Sequence, residues 1–352
     1  MAIITIIGAG NMGSGISWPI ADNGHEVRLV GTHLDKHIID SIKHNRVHPK
    51  LQREVPVSIK AYYHTEIPEA IEGADVVVSG VSSFGVEWFA EQAGPYLKPG
   101  VPVLSITKGL YAKENGDLQI LPDQLNDLLP ENLRNKVSLN AVAGPCIAQE
   151  LSARRQTCVY FCGRDEKVLR QLRSLFATPY YHILVSTDFI GAEVGVAMKN
   201  AYSICINFPI GVYEQEGPDG IAHMFNPQAA LFAQSMREMC KLIDLMGGQR
   251  DSLIELAGSG DLYVTVFGGR NAKLGKLLGQ ENSYSDAREK LAGETLEGVE
   301  IMTRVCKAMP KLEARGLAKQ ADFPLLTHLY NVVYQGAQVK VPWEKFFTDI
   351  IV

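Results

Sequence analysis

Short apolar runs alternate with helical patterns along the first half of the chain. The runs are rich in β-branched residues and apolar on both faces, which is typical of strands in a sheet covered on both sides. Candidate strands are Ile3–Ile7, Glu26–Val30, Val76–Gly80, Val103–Ser105, Ser138–Ala141 and Thr157–Cys162. Candidate helices are Met12–Asn23, Leu34–Asn45, Gly85–Ala93 and Leu118–Leu129. This alternation predicts βαβ units and a doubly wound parallel sheet.

The pattern changes after about Thr187, where strand signals end. Helical patterns follow at Pro227–Leu245, Asp251–Ala257, Ser285–Leu291, Leu296–Ala308 and Pro324–Tyr334. The polar stretch Glu214–Asn226, with its glycine and proline residues, predicts a loop. We therefore expect an α/β domain over residues 1–187 and an all-helical domain over residues 188–352, and the length alone also suggests two domains.

One lysine lies in the most apolar of the helical patterns. From Phe189 to Val212 the only charged residues are Glu193 and Lys199. A helix this apolar is buried, and a lysine is almost never fully buried unless it is paired or used. Because desolvation disfavours the charged form of a lysine, such a residue is a candidate proton donor and acceptor. The alternative is that Lys199 extends its ammonium to the surface or to a structural carboxylate.

Composition narrows the class of protein. The 46% apolar and 21% charged fractions are ordinary for a soluble globular protein, and a net charge of −5 gives no support for nucleic-acid binding. The six cysteines include no CxxC pair, so we expect free thiols in the cytoplasm and not a zinc site or a disulfide framework. No signal peptide and no membrane insertion are expected.

A glycine-rich segment follows the first strand and opens a helix. It reads Gly8-Ala9-Gly10-Asn11-Met12-Gly13, which is GxGxxG in the context that dinucleotide binding requires. The first glycine allows a tight turn, the second lets the backbone approach a pyrophosphate, and the third lets helix and strand pack closely. We expect these six residues to bind the cofactor at the helix N-terminus. Pro19 should bend the helix or shorten its first stretch.

The end of the second strand bears on the choice of cofactor. An NAD site usually has Asp or Glu there to hold the ribose, and this strand ends in Val30 without one. Thr32, His33 and Lys36 are placed to accommodate a 2′-phosphate, so NADP is favoured over NAD. His33 and His37 alone do not predict a metal site, and no metal is expected.

Several further segments contain candidate chemical groups. Lys108 follows a strand, and the ends of parallel strands line the ligand crevice of a doubly wound fold. Ser82 and the segment with Cys146 and Ala148 also follow strands, and we assign Ser82, Lys108 and Ala148 to cofactor binding. Asp261 stands at a glycine-flanked helix start, where its carboxylate can also act simply as a cap. Arg270 and Asn271 follow two glycines, a combination that suits a phosphate.

Taken together, these segments resemble a known family. GAGNMG, ITKGL, GPCIAQE, EVGVAMKNAYSI, GSGDLYVTVFGGRN and LEG occur in this order. The combination is similar to the NAD(P)-dependent glycerol-3-phosphate dehydrogenases, and to archaeal-type members most closely, from about residue 3 to at least residue 300. The resemblance implies a Rossmann domain followed by an all-helical domain, a homodimer, and interconversion of dihydroxyacetone phosphate and sn-glycerol 3-phosphate.

The resemblance also implies residue roles. Lys199 would be the proton donor and acceptor, Asp261 its partner, and Lys108 a residue that binds and orients the substrate. The remaining substrate residues would be Thr265, Arg270, Asn271 and Cys146, and Glu297 and Arg270 would contact the cofactor. Lys108, Lys199 and Asp261 together form the expected catalytic set.

The chain departs from the family at four places. Cys146 stands where Ser or Asn is frequent, and the region of Gln234 lacks the usual Thr-Arg pair. The predicted loop Glu214–Asn226 is long for the family, and His48-Pro49-Lys50 replaces the bacterial YLPG run. These changes leave hydride transfer intact and bear on the substrate, so one alternative is a dehydrogenase of another phosphorylated or acidic polyol on the same architecture. A separate alternative is a nucleotide-sensing protein without turnover, which would be expected to have lost the set Lys108, Lys199 and Asp261 that this chain keeps.

Overall fold

The computed structural model describes residues 1–216 and 224–347. The chain separates into two compact units. The first consists of Met1–Lys108 and Ile120–Ala192, and the second of Gly109–Gln119 and Glu193–Val352. Residues 109–119, which lie inside the predicted first domain, therefore belong to the second unit.

An eight-stranded sheet forms the centre of the first unit. The strands of the described chain are β1 Ile3–Ile7, β2 Glu26–Val30, β3 Val47–His48, β4 Arg53–Glu54, β5 Ile59–Tyr62, β6 Val76–Ser79, β7 Val103–Ser105, β8 Leu110–Ala112, β9 Leu118–Ile120, β10 Leu139–Ala143, β11 Thr157–Gly163 and β12 Tyr181–Ser186. The sheet order is β12-β11-β10-β7-β6-β1-β2-β5, and β3-β4 and β8-β9 form separate pairs. Strands β2 and β6 flank β1, so the strand order reverses there, and this is where doubly wound folds bind ligands.

The prediction of a parallel sheet is confirmed for most of the strands and wrong at one pair. Strand β11 runs antiparallel to β10, whereas β5-β2-β1-β6-β7-β10 are parallel neighbours. The helix between β10 and β11, Ala148–Ser152, has five residues. It spans about 7.5 Å, which is too short to return the chain along a strand about 16 Å long, so the chain turns back instead.

Several strands were not predicted, because their sequences do not have apolar residues on both faces. Strands β5 and β12 lie at the two edges of the sheet, and β12 alternates buried with exposed positions at its start. The predicted helix Leu118–Leu129 begins only at Leu121, because Leu118–Ile120 pairs with Leu110–Ala112. The turn between these strands contains Asn115-Gly116, with Gly116 at a φ of 93°, and Asn-Gly is a strong hairpin signal.

The helices of the first unit pack around this sheet. They are α1 Asn11–Gly15, α2 Ser17–Asp22, α3 Lys36–Asn45, α4 Ile67–Ile71, α5 Val86–Gln92, α6 Leu121–Leu128, α7 Ala148–Ser152 and α8 Glu166–Phe176. The predicted helix Met12–Asn23 is interrupted at Ile16, as expected from Pro19. Pro19 has no N–H to donate to the Gly15 carbonyl, so the helical ladder breaks between them.

Helices make up most of the second unit. They are α9 Phe189–Ile206, which begins in the first unit, α10 Phe208–Glu216, α11 Phe225–Met246, α12 Asp251–Ile254, α13 Asp261–Val266, α14 Arg270–Gly279, α15 Tyr284–Lys290, α16 Glu297–Ala314 and α17 Pro324–Gln335. A π-helical turn, Leu256–Gly260, precedes α13. Of the predicted loop Glu214–Asn226, residues 217–223 lie outside the described residues, and its two ends are helical. Within the described ranges, no helix has the length and apolar character needed to cross a membrane.

Candidate active site

The glycine-rich loop after β1 has one open side. A Cβ on Gly8 would lie 2.5 Å from the Gly80 carbonyl carbon, and a Cβ on Gly13 would lie 1.9 Å from the Gly8 carbonyl oxygen. Both positions therefore require glycine for close backbone packing. A Cβ on Gly10 would meet nothing within 4 Å, and no side chain caps α1. The loop thus leaves open space beside an uncapped helix N-terminus, which fits a pyrophosphate.

The other predicted cofactor residues of the first unit follow parallel strands. Thr32 and His33 follow β2, Ser82 follows β6, Lys108 follows β7, and Ala148 follows β10. Strands β2, β1, β6, β7 and β10 are successive parallel neighbours, so their carboxyl ends meet at one edge of the sheet. All five residues therefore lie at the same edge as the glycine-rich loop.

Lys108 and the segment with Cys146 meet at this edge. The Lys108 ammonium donates to the carbonyl of Gly144, at 3.2 Å. Ala148 is buried and lies 3.1 Å from the position of a Cβ on Gly15, so α7 packs closely on α1. Cys146 is half-buried and packs against the core of the first unit. The structure therefore joins two of the predicted motifs and sets Cys146 partly into the core.

Asp35, which follows the end of β2, was not predicted as a site residue. Its Oδ2 accepts hydrogen bonds from the Thr32 N–H at 2.9 Å, the Thr32 hydroxyl at 2.7 Å and the Ala9 N–H at 3.2 Å. Asp35 is buried, whereas His33 and Lys36 on either side of it are exposed. Asp35 lies beyond the end of β2, and its carboxylate points inward and supports the glycine-rich loop through the Ala9 N–H.

Lys199 and Asp261 form a buried ion pair in the second unit. The Lys199 ammonium donates to Asp261 Oδ1, and the side chains are 10% and 2% exposed, respectively. Lys199 lies on α9, and Asp261 is the first residue of α13. Helix α9 approaches this region closely, because a Cβ on Gly195 would lie 2.8 Å from the Ala257 carbonyl oxygen. The pair places a proton-carrying nitrogen against a fixed carboxylate.

Arg270 and Glu297, both predicted to contact the cofactor, are paired with each other. An Arg270 Nη donates to Glu297 Oε1 at 2.9 Å, and the other donates to the Thr295 hydroxyl at 2.8 Å. Arg270 begins α14 after Gly269, whose φ is 88°, and a Cβ on Gly268 or Gly269 would meet open space. The Arg270 side chain is 39% exposed, so it combines a fixed orientation with access to an anion.

Asn271 links three helices. Its Nδ2 donates to Asn200 Oδ1 at 3.3 Å, and its Oδ1 accepts from the Gly298 N–H at 3.2 Å. Asn200 follows Lys199 directly, so this hydrogen-bond network supports the helix that carries Lys199. Asn200 was not among the predicted site residues. The Thr265 hydroxyl donates to the Asp261 carbonyl at 2.7 Å, within its own helix.

Another buried carboxyl, Glu238, connects α9, α11 and α17. It accepts from the Tyr202 hydroxyl at 3.0 Å and the Gln234 amide at 2.8 Å. It also accepts from the N–H groups of Leu325 and Leu326, at 2.7 and 3.0 Å, and so caps α17. Burial is the largest influence and raises the pKa of Glu238 to about 7, although the hydrogen bonds act in the opposite direction. Gln234, in the region without the usual Thr-Arg pair, is thus part of a polar network that the sequence did not predict.

Two sequence models of known families match the chain. The N-terminal model of NAD-dependent glycerol-3-phosphate dehydrogenase matches residues 3–169, and the C-terminal model matches residues 188–344. An NADP(+)-dependent glycerol-3-phosphate dehydrogenase from Archaeoglobus fulgidus is 35% identical over 96% of this chain and 97% of its own length. A glycerol-3-phosphate dehydrogenase (NAD(P)+) from Shouchella clausii is 27% identical over 96% of this chain and 93% of its own length.

Solved structures share the fold. A Plasmodium falciparum glycerol-3-phosphate dehydrogenase has a TM-score of 0.83 at 21% identity and covers 100% of this chain and 96% of that protein. The Coxiella burnetii glycerol-3-phosphate dehydrogenase has a TM-score of 0.79 at 22% identity, with coverage of 98% and 97%.

Proposed function

We propose that this chain, which belongs to the NAD-dependent glycerol-3-phosphate dehydrogenase family, interconverts dihydroxyacetone phosphate and glycerol 3-phosphate with NAD(P)(H). The observation that carries the proposal is the buried Lys199–Asp261 pair. Reduction of a ketone to an alcohol requires a proton donor for the carbonyl oxygen, and the reverse reaction requires an acceptor at the same place. A lysine held by a carboxylate can serve both directions.

Each residue of the pair has a distinct task. The Lys199 ammonium stabilises negative charge on the substrate oxygen and transfers its proton there. Asp261, with a side chain 2% exposed, fixes the position of the ammonium and stabilises its charged form before transfer. When bound, the dihydronicotinamide supplies the hydride. In the reverse direction, neutral Lys199 accepts the hydroxyl proton, and Asp261 stabilises the ammonium that results.

The first unit supplies the residues that would hold the cofactor. The open side of Gly10 and the uncapped start of α1 suit the pyrophosphate. A carboxylate directed at the ribose would repel a 2′-phosphate, but Asp35 is buried and already accepts three hydrogen bonds. The exposed side chains beside it are His33 and Lys36. This arrangement supports the use of NADP in addition to NAD, with NADP favoured.

The start of α14 would hold the substrate phosphate. The first N–H groups of a helix lack partners within the helix and carry partial positive charge. Arg270 adds a guanidinium whose orientation is set by Thr295 and Glu297. Binding energy from the phosphate would then position the carbonyl at the reacting centre.

An absorbance assay tests the proposal. The purified chain should oxidise NADPH with dihydroxyacetone phosphate and should be far less active with nonphosphorylated dihydroxyacetone. A parallel series with NADH tests the cofactor preference. Activity with another phosphorylated or acidic ketone, but not with dihydroxyacetone phosphate, would contradict the substrate; absence of turnover with all of these compounds would contradict catalysis.

The compartment and the assembly extend the same proposal. The six cysteines are free thiols, which suits a reducing compartment such as the cytoplasm. A homodimer is expected from the family resemblance, and light scattering of the purified chain will give the mass directly.

A further inference from the structure

Side chains from outside the glycine-rich loop hold both peptide groups of Ala9. Its N–H donates to Asp35 Oδ2 at 3.2 Å. Its carbonyl accepts from the Ser14 hydroxyl at 3.0 Å and pairs with His48 Nε2 at 3.3 Å. Ala9, Ser14 and His48 are all fully buried. The residue between the first two glycines of the loop is therefore fixed from both ends.

The partners of His48 define its protonation. Its Nδ1 accepts a hydrogen bond from the Leu51 N–H at 3.1 Å, so Nδ1 carries no proton. The ring proton then resides on Nε2 and is donated to the Ala9 carbonyl. Only the neutral Nε2–H form satisfies both contacts, since a second proton on Nδ1 would face the Leu51 N–H.

Holding the Ala9 carbonyl also orients the next peptide N–H. The carbonyl of one residue and the N–H of the next lie in one plane and point in opposite directions across a trans peptide. Because His48 and Ser14 fix the Ala9 carbonyl on the interior side, the Gly10 N–H is directed the opposite way. Gly10 is the glycine of the loop with open space beside it.

We propose that His48 is a positioning residue for the dinucleotide, which it orders through the Ala9 carbonyl and the Gly10 N–H. The inference rests on the proposed function, because it assumes that the glycine-rich loop binds a dinucleotide. The proposal assigns a role in cofactor binding to the segment His48-Pro49-Lys50, where the chain departs from the bacterial pattern of the family. His48 does not touch the substrate or take part in proton transfer.

Two substitutions distinguish the positioning of the dinucleotide through Ala9 from a structural role of His48 that is limited to its contact with Leu51. His48→Gln keeps an N–H at the position of Nε2 and can still donate to Ala9. His48→Asn keeps an acceptor at the position of Nδ1 for Leu51 but does not reach Ala9. The readout is the Kd for NADPH, from the fluorescence of the bound nucleotide, together with the KM for ketone and kcat.

We expect His48→Asn to raise the NADPH Kd about tenfold, as for the loss of one well-placed hydrogen bond, with kcat at saturating NADPH nearly unchanged. His48→Gln should stay within about threefold of the wild type. Equal NADPH affinity of His48→Asn and wild type, or equal weakening in both variants, would overturn the inference. A wild type that binds neither NADPH nor NADH would instead overturn the proposed function, and this inference with it.

Acidification provides a second test that does not depend on the folding of His48→Asn. Protonation of His48 sets an N–H against the Leu51 N–H, so NADPH affinity should fall more in wild type than in His48→Gln between about pH 8 and about pH 5. Besides burial, which lowers the pKa of His48, the charged groups that act on the ring are Lys50, which lowers this pKa, and Asp35, which raises it. The same pH dependence in both proteins would overturn the inference.

Discussion

Glu238 couples the stability of the second unit to pH. Within the described part of the chain, no lysine or arginine forms an ion pair with this carboxyl, although four donors surround it. Burial raises the pKa of Glu238 from its ordinary value of 4.5 to about 7. The folded protein therefore holds a proton on Glu238 over a pH range in which the unfolded chain has lost it.

The size of the coupling follows from this difference in pKa. At 1.36 kcal/mol per pKa unit, the difference between 4.5 and about 7 is worth about 3 kcal/mol. Because the pKa is raised in the folded state, the contribution is fully present below about pH 4.5 and is lost as the pH rises through about 7. Between pH 5 and pH 8, Glu238 alone should therefore lower the free energy of unfolding by about 2 to 3 kcal/mol.

Urea unfolding of wild type and Glu238→Gln at these two pH values measures this coupling. Glutamine does not titrate, so the difference in unfolding free energy between the two proteins should change by about 2 to 3 kcal/mol. The matched control is Glu289→Gln, because Glu289 is exposed on α15. A difference between wild type and Glu238→Gln that stays constant with pH would refute the reasoning.

Four further substitutions test other parts of the site. Gly10→Ala should leave the free energy of unfolding within about 1 kcal/mol of wild type and raise the NADPH Kd at least tenfold. Gly13→Ala should instead destabilise the fold in urea, because its Cβ would lie 1.9 Å from the Gly8 carbonyl oxygen. Equal effects of the two substitutions on stability would contradict this expectation. Asp261→Asn leaves the ammonium of Lys199 buried without its charge partner, so thermal and urea unfolding should show a loss of about 3 kcal/mol together with a fall in kcat, and unchanged stability would argue against a tight pair. Arg270→Ala should raise the KM for dihydroxyacetone phosphate about a hundredfold, as for a lost charge-assisted phosphate contact; an unchanged KM would favour a different substrate.

Local sequence patterns predicted the centre of the first unit well. The bounds of β1, β2 and β7 match the predicted strands: β1 and β7 are short runs buried on both faces, and β2 alternates buried apolar residues with the half-buried Glu26 and Arg28. Edge strands β5 and β12 were not predicted, because each has exposed or half-buried positions beside its buried ones and so lacks a continuous apolar run. The direction of β11 depends on the length of α7 and cannot be derived from the composition of the strand itself.

The candidate site was predictable only in part. Lys199 stands out in sequence as a charge in an apolar helix, but its partner Asp261 is distant along the chain, and the family resemblance alone connected them. Asp35 was not predicted because it lies five residues beyond the end of β2, and its carboxylate turns back to the glycine-rich loop. Glu238 escaped because nothing along α11 marks one glutamate as buried, and its burial depends on contacts from α9 and α17.

The central claim is that Lys199 donates the proton that completes ketone reduction. The most direct measurement is the turnover of Lys199→Met combined with Asp261→Asn, a double variant that removes both charges of the ion pair together. With NADPH and dihydroxyacetone phosphate, kcat should fall by about a thousandfold, as for loss of a general acid, while the NADPH Kd stays within about threefold of wild type. Turnover within about tenfold of wild type, with NADPH still bound, would contradict the claim.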